Sequence, residues 1–245
     1  RKLKIIFFYF PVKVYQDNIL DLVNEIKKDK NIEVILGYNL VSANEIKSLE
    51  KTFFINPGYL KFLKYIDIFL SSYVVYDFPK SLNKIYINHD IYDTPMVNVE
   101  NEQNLINNLI KCNYIFLSSE ISISALQAKI DQYTDKIKVN KKPKLINTGY
   151  LKLDHVHKQI NKEKFKEDSI LLAPTLSSMF KEYNLDEFLD KIIKELLDNN
   201  DFKIIYRPHP GDKINRQKSL VIKNIFEKYQ HNKRFSLDNN VSYLD

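Results

Sequence analysis

The sequence is short of cysteine, glycine and long apolar runs, and each shortage closes off a class of protein. Cys112 is the one cysteine in 245 residues, so no intrachain disulfide and no cysteine-built zinc cluster can form. A reducing, cytoplasmic setting is the simplest expectation, with Cys112 a small buried thiol closing a helix rather than a nucleophile. The four glycines spell neither GxGxxG nor GxxxxGK(S/T), which argues against nicotinamide-dinucleotide enzymes and standard P-loop ATPases. No GxSxG elbow marks a serine hydrolase. No run reaches the roughly 20 apolar residues that span a bilayer, and no signal-peptide pattern is present. The first residue, Arg1, is not methionine, so we expect residues ahead of it that were removed or belong to a longer protein.

Neither sign of charge dominates. There are 37 basic and 31 acidic residues, a net charge of +6. The excess is dispersed, which speaks against nucleic acid as a partner. It fits an anionic ligand, a membrane surface or a solvated lysine-rich exterior equally well. The stretch KVNKKPK, from Lys138 to Lys144, is basic enough for peripheral contact with the inner face of a cell membrane, although a solvated loop accounts for it too. Hydrophobic content of 44% and charged content of 28% are globular values.

What the chain does have is alternation. KIIFFYF (Lys4 to Phe10) reads as a buried strand, NILDLVNEIKKD follows with helical periodicity, and IEVILGY returns as a strand. YIDIFLSSYVVY, NKIYINHD, YIFLSS and PKLINTGY continue the series, with helices around NLINNLIKC and from Ile123 to Tyr133. Buried runs joined through helices predict a parallel sheet covered on both faces. Residues 151–168 are charged and nearly free of apolar runs, and we read them as a linker between a domain over 1–150 and another over 169–245. The second domain shows the strands SILLAPT, FKIIYRPHP and RFSLD, with helices in LDEFLDKIIKELLDNN and from Asn215 to Tyr229. Three strands and two helices are thin for a nucleotide-binding domain, and the pattern stops at Asp245 as another helix begins. The expectation is a C-terminal domain that is truncated.

Parallel sheets bind ligands at the carboxyl ends of their strands, and the chemistry-bearing motifs fall there. In IIYRPHPGD, Arg207 and His209 alternate with Pro208 and Pro210 before Gly211. The prolines stiffen the backbone. A guanidinium fork beside an imidazole donor makes a diphosphate clamp, against the plainer reading of a strand-ending turn. In IYINHDIYDTP, His89 and Asp90 follow a strand. An imidazole titrates near neutrality and suits a general base, with Asp90 or Asp93 orienting it. Asp93 by itself reads better as a turn or cap before Pro95. In SILLAPTLSS the strand ends in Pro174-Thr175, and Thr175, Ser177 and Ser178 can offer hydroxyls and amides to an anion beside Pro174 or simply cap a helix. Gly149 in INTGY permits close backbone approach or a turn. His155 and His157 have strand-like spacing but no carboxylate pair nearby in sequence, so no metal is expected.

INHDIYDTP, KLINTGYLKLD, ILLAPTLSS and IIYRPHPGD, in this order over roughly Lys84 to Asp245, resemble the CDP-glycerol glycerophosphotransferase family of teichoic-acid and capsule polymerases. The resemblance implies a GT-B-like α/β fold of two Rossmann-like domains with parallel sheets and no cofactor. It implies transfer of a polyol phosphate from CDP-glycerol to a glycan or polymer acceptor at the cell envelope. The family's acceptor-side base falls on His89, and its His-Pro phosphate grip on His209 and Pro210 with Arg207 alongside. Its Ala-Pro-Thr segment falls on Ala173 to Thr175. Asp90 stands where the family usually has glycine, which leaves donor and acceptor open. A CMP-sialic-acid-type glycosyltransferase, an epimerase of UDP-sugars and a non-catalytic binding domain of a polymer-assembly complex remain alternatives.

Overall fold

The computed structural model describes residues 3–11, 15–16, 19–40, 52–79, 83–92, 95–97, 100–134, 141–160, 168–174 and 185–238. The chain divides into two compact units, Arg1–Gln159 and Ile160–Asp245.

The first unit is a seven-stranded sheet in the order β3-β2-β1-β4-β5-β6-β7, parallel at every pairing. Its strands are β1 (Lys4–Phe10), β2 (Ile32–Tyr38), β3 (Thr52–Phe54), β4 (Ile68–Ser71), β5 (Asn83–Ile87), β6 (Tyr114–Leu117) and β7 (Lys144–Asn147). The helices are α1 (Leu20–Ile26), α2 (Glu102–Leu109), α3 (Glu120–Thr134) and α4 (Leu151–Ile160), with a 3-10 helix over Pro57–Phe62. The β1 and β2 runs begin and end where the sequence pattern places them.

Strand β1 shows why its residues are apolar without alternation. Ile6, Phe8 and Phe10 pack with Val23 of α1, whereas Phe7 and Tyr9 turn to the other face beside Leu60 and Phe69. A strand covered on both sides has no polar side to present. Gly37 on β2 lies against the Phe7 ring, where an added Cβ would come within 2.3 Å of Cζ. Farther along, Tyr86, Ile115 and Leu117 meet Ile106 and Leu109 of α2 and Leu126 and Ile130 of α3. Helix α3 starts on a hydroxyl cap, the Ser122 amide donating to Ser119 Oγ at 3.2 Å. Helices α2 and α3 are tied by the Lys129–Glu102 ion pair and by Tyr133, whose hydroxyl donates to Glu102 at 3.2 Å. Cys112 is buried in this cluster, and burial pushes its thiol up to about 12.

Strand β3 and the 3-10 helix go beyond the sequence pattern. Three strand residues are too few for a period, and the helix depends on a cap, the Asn56 side chain accepting from the Gly58 amide at 3.0 Å. The segment read as a linker is helical over Leu151–Ile160, and Leu151 packs against the core containing β1. On a helix of 3.6 residues per turn, positions 155 and 157 do not share a face.

The second unit has a three-stranded parallel sheet ordered β10-β9-β8, with β8 (Ser169–Leu172), β9 (Lys203–Tyr206) and β10 (Phe235–Leu237). Its helices are α5 (Leu185–Asn199), α6 (Pro210–Ile214) and α7 (Arg216–Tyr229). The short α6 adds to the two helices expected. Ile170, Ile204, Tyr206 and Phe235 share one face with Leu189, Ile193, Ile222 and Ile225 of the helices. Leu171 and Ile205 pair on the opposite face, where Leu171 is 50% exposed.

Candidate functional site

In the first unit the strand order reverses between β1 and β4. Chain connections leave in opposite directions there, and the carboxyl ends at such a point are the usual ligand position of an open parallel sheet. Residues from four strand ends meet there. Tyr15 follows β1, and its ring meets that of Tyr73 after β4 at 5.5 Å. The His89 ring, after β5, stands edge-on to Tyr15 at 4.7 Å. Tyr150, after β7, donates its hydroxyl to the His89 carbonyl at 3.0 Å. The Ser71 hydroxyl donates to the Tyr9 carbonyl at 3.1 Å and that of Ser72 to the Tyr15 carbonyl at 3.2 Å, bracing β4 to the end of β1. Tyr9 itself is buried, and burial, with Tyr73 adding, pushes its hydroxyl up to about 12.

The loop carrying His89 and Asp90 is held from several sides. The Asn88 amide donates to the Phe116 carbonyl at 2.9 Å, continuing the ladder past β5. The Asn88 side chain donates to the Asp90 carbonyl at 2.8 Å and accepts from the Tyr86 hydroxyl at 2.9 Å. Ser118 and Ser122 both donate to the Ile91 carbonyl, at 2.5 Å and 2.9 Å. Within this frame His89 Nε2 lies 3.3 Å from Asp90 Oδ2. His89 Nδ1 is buried with no hydrogen-bond partner among the described residues. Placing the ring proton on Nε2 avoids burying an unpaired donor, and Nε2–H then faces the carboxylate. The result is an imidazole–carboxylate dyad at a strand end, with Nε2–H directed to Asp90 and the ring's remaining lone pair, on Nδ1, buried.

Gly149 takes φ +73, and a Cβ added to it would meet no atom within 4 Å. The left-handed backbone is what requires glycine here, and crowding does not. Its amide donates to Asn147 Oδ1 at 3.2 Å, so the residue makes the turn that delivers Tyr150 to His89.

In the second unit Arg207 and His209 leave the carboxyl end of β9. Arg207 Nε and Nη2 both bond Asp238 Oδ2, at 2.7 Å and 2.5 Å. Asp238 follows β10, and its amide donates to the Tyr206 carbonyl at 2.8 Å. The guanidinium is therefore fixed by a carboxylate on the neighbouring strand, in addition to the stiffening by Pro208. His209 Nδ1 accepts from the Gly211 amide at 3.0 Å, capping α6. With Nδ1 accepting, the neutral ring carries its proton on Nε2 as a donor. Pro210 opens α6 at its first position, where a missing amide costs nothing. Lys213 on α6 is held below the ordinary lysine range by burial, with Arg207 adding and Asp238 opposing. Pro174 follows β8 and is half-buried, whereas Thr175 and Ser177 lie outside the described residues.

The sequence singles out His89, Asp90, Arg207 and His209 as candidates, and the structure places Tyr15, Tyr73, Tyr150, Asp238 and Lys213 beside them, which the sequence did not single out. Each of the missed tyrosines stands within a few residues of a strand's carboxyl end, the one signal that was available. Among the described residues no group of three histidine, cysteine, aspartate or glutamate side chains is placed to hold a metal ion. Nor is any helix there long and apolar enough to cross a membrane.

No protein-family model and no curated protein matches the chain. Solved structures do. The S. aureus MnaA–UDP co-structure aligns at 16% identity with a TM-score of 0.66, over 99% of this chain and 70% of that one. The UDP-GlcNAc 2-epimerase of Neisseria meningitidis bound to UDP-GlcNAc aligns at 14% identity and TM-score 0.59, over 99% and 74%. The UDP-N-acetylglucosamine 2-epimerase of Rickettsia bellii aligns at 11% identity and TM-score 0.58, over 100% and 71%. Likeness at this identity shows the fold: an α/β, GT-B-like chain with two parallel sheets.

Proposed function

We propose that the chain acts on a nucleotide-activated substrate, transferring glycerol phosphate or a similar polyol phosphate from a CDP-activated donor to a glycan or polymer acceptor. The observation that carries this reading is the arrangement after β9: Arg207 locked by Asp238, and His209 capping α6 through Nδ1 so that Nε2–H is left as a donor. Two fixed donors of this kind suit the oxygens of a diphosphate and the charge that develops as the nucleotide leaves. The acceptor hydroxyl oxygen would bond to the donor's distal phosphorus while the bond from that phosphorus to the nucleotide oxygen breaks, releasing CMP. The hydroxyl proton would pass to a carboxylate, the part we give Asp90, whose partner is His89 Nε2–H. The CDP-glycerol assignment itself rests on the order and spacing of the four motifs around His89, Gly149, Pro174 and His209.

A second reading is favoured by the fold neighbours, which include a UDP co-structure and a UDP-GlcNAc 2-epimerase bound to UDP-GlcNAc. It gives the same phosphate grip a UDP-sugar and needs no acceptor. Turnover assays separate the two. Acceptor-dependent CMP release from CDP-glycerol supports the transferase. Conversion of UDP-GlcNAc without any acceptor replaces it with the epimerase reading, and nucleotide binding without turnover of either leaves a non-catalytic binding protein.

A further inference from the structure

Four large aromatic side chains stand exposed within one short stretch of the first unit: Phe53 at 55%, Tyr59 at 61%, Phe62 at 65% and Tyr65 at 87%. Monomers that live only in water seldom group apolar rings in this way. They are held out by structure. Leu60 is fully buried and anchors the 3-10 helix, so its neighbours Tyr59, Lys61 and Phe62 are carried on the outside. Tyr65 takes φ 63, a left-handed conformation that is costly for a bulky residue.

The charge within this stretch has one sign. From Thr52 to Ile66 there is no acidic residue, while Lys61 and Lys64 lie between the rings. The ammonium of Lys61 sits 5.5 Å from the centre of the Phe62 ring. Asp67, the first carboxylate beyond, is occupied by the Ile5 amide at 2.8 Å. Two of the rings, Phe53 and Tyr65, border a cavity of about 300 Å³ together with Phe7, Ile35, Leu63 and Lys64. Glu33, which shares the β2 face with Ile35, does not border it. Rings flanked by lysines beside an apolar recess match the layering of a bilayer surface: anionic headgroups outside, acyl chains within.

We propose that this face docks on an anionic lipid bilayer, Lys61 and Lys64 meeting the headgroups and Phe62 and Tyr65 entering the acyl boundary. The inference is independent of the chemistry assigned to His89 and Arg207. It is tested by co-sedimentation of the chain with phosphatidylglycerol-containing vesicles and with pure phosphatidylcholine vesicles. Binding to the anionic vesicles alone is expected. Lys61→Glu with Lys64→Glu should weaken it by at least tenfold, about fivefold for each lysine lost, and Phe62→Ser with Tyr65→Ser should abolish it. All four side chains lie outside the core, and unchanged circular dichroism and melting temperature would show that the variants fold. Absence of wild-type binding to both vesicle types overturns the proposal, as does binding that survives both double variants. Concentration-dependent dimers that the same variants dissolve also overturn it, since they make a second copy of the chain the occupant.

Discussion

The loops after β5 and after β9 occupy equivalent strand ends in their respective units, yet they are held in different ways. The first is fixed by its neighbours: Phe116 receives its Asn88 amide, Ser118 and Ser122 grip its Ile91 carbonyl, and Tyr150 reaches in from the end of β7. The second is fixed mostly by its own residues, with two prolines and a histidine that bonds the amide two positions on. Its distant support is Asp238. A loop built from neighbours depends on residues remote in sequence, whereas a loop built from itself tolerates remote change. On the proposed reading, the proton transfer given to the first loop should therefore be more fragile to distant substitution than the phosphate recognition given to the second.

The largest expected effect breaks the dyad itself. Asp90→Asn or His89→Ala should lower turnover by about 10²–10⁴-fold while nucleotide binding stays near normal. A rate within threefold of wild type in either variant would remove the dyad from the chemistry. A smaller effect sharpens the contrast between the loops. Tyr150→Phe deletes one hydrogen bond to the His89 carbonyl, worth about 1 kcal/mol, and should cost turnover about fivefold without changing nucleotide affinity. Equal losses in both quantities would mean that the two loops are not supported separately.

The smallest effect concerns the core behind the first loop, where Cys112 lies with Tyr86 and Met96. Burial raises the thiol from 9.0 to about 12 in the folded chain. Above pH 9 the unfolded thiol ionises while the folded one does not, so its contribution to stability is complete below that pH and is lost between about 9 and 12. Denaturant titration should show the wild type losing about 1 kcal/mol relative to Cys112→Ala between about pH 8 and pH 10. Parallel behaviour of the two proteins would show that water reaches this core.

The same contrast explains what was legible in the sequence. The apolar runs of β1 and β2 announced themselves because both faces are buried, and the Arg-Pro-His-Pro-Gly segment because its restraints are local. Tyr15, Tyr73 and Tyr150 could not be picked out from the 16 tyrosines of the chain, since their significance depends on β4 pairing beside β1 and on where β7 ends. Asp238 was hidden for a related reason: its partner Arg207 is 31 residues away, and only the β9–β10 register brings them together. β3 is too short to carry a period, and the helix over Leu151–Ile160 was masked by its charged composition.

The central claim is that Arg207 and His209 grip the diphosphate of an activated nucleotide. Isothermal titration of the chain with CDP, CMP, UDP and CDP-glycerol, beside Arg207→Ala and Asp238→Asn, tests it most directly. The account predicts that the diphosphates bind more tightly than CMP, that Arg207→Ala weakens them by about tenfold or more, and that Asp238→Asn, which keeps the guanidinium, costs less. Equal affinity of Arg207→Ala and wild type for every nucleotide would contradict it.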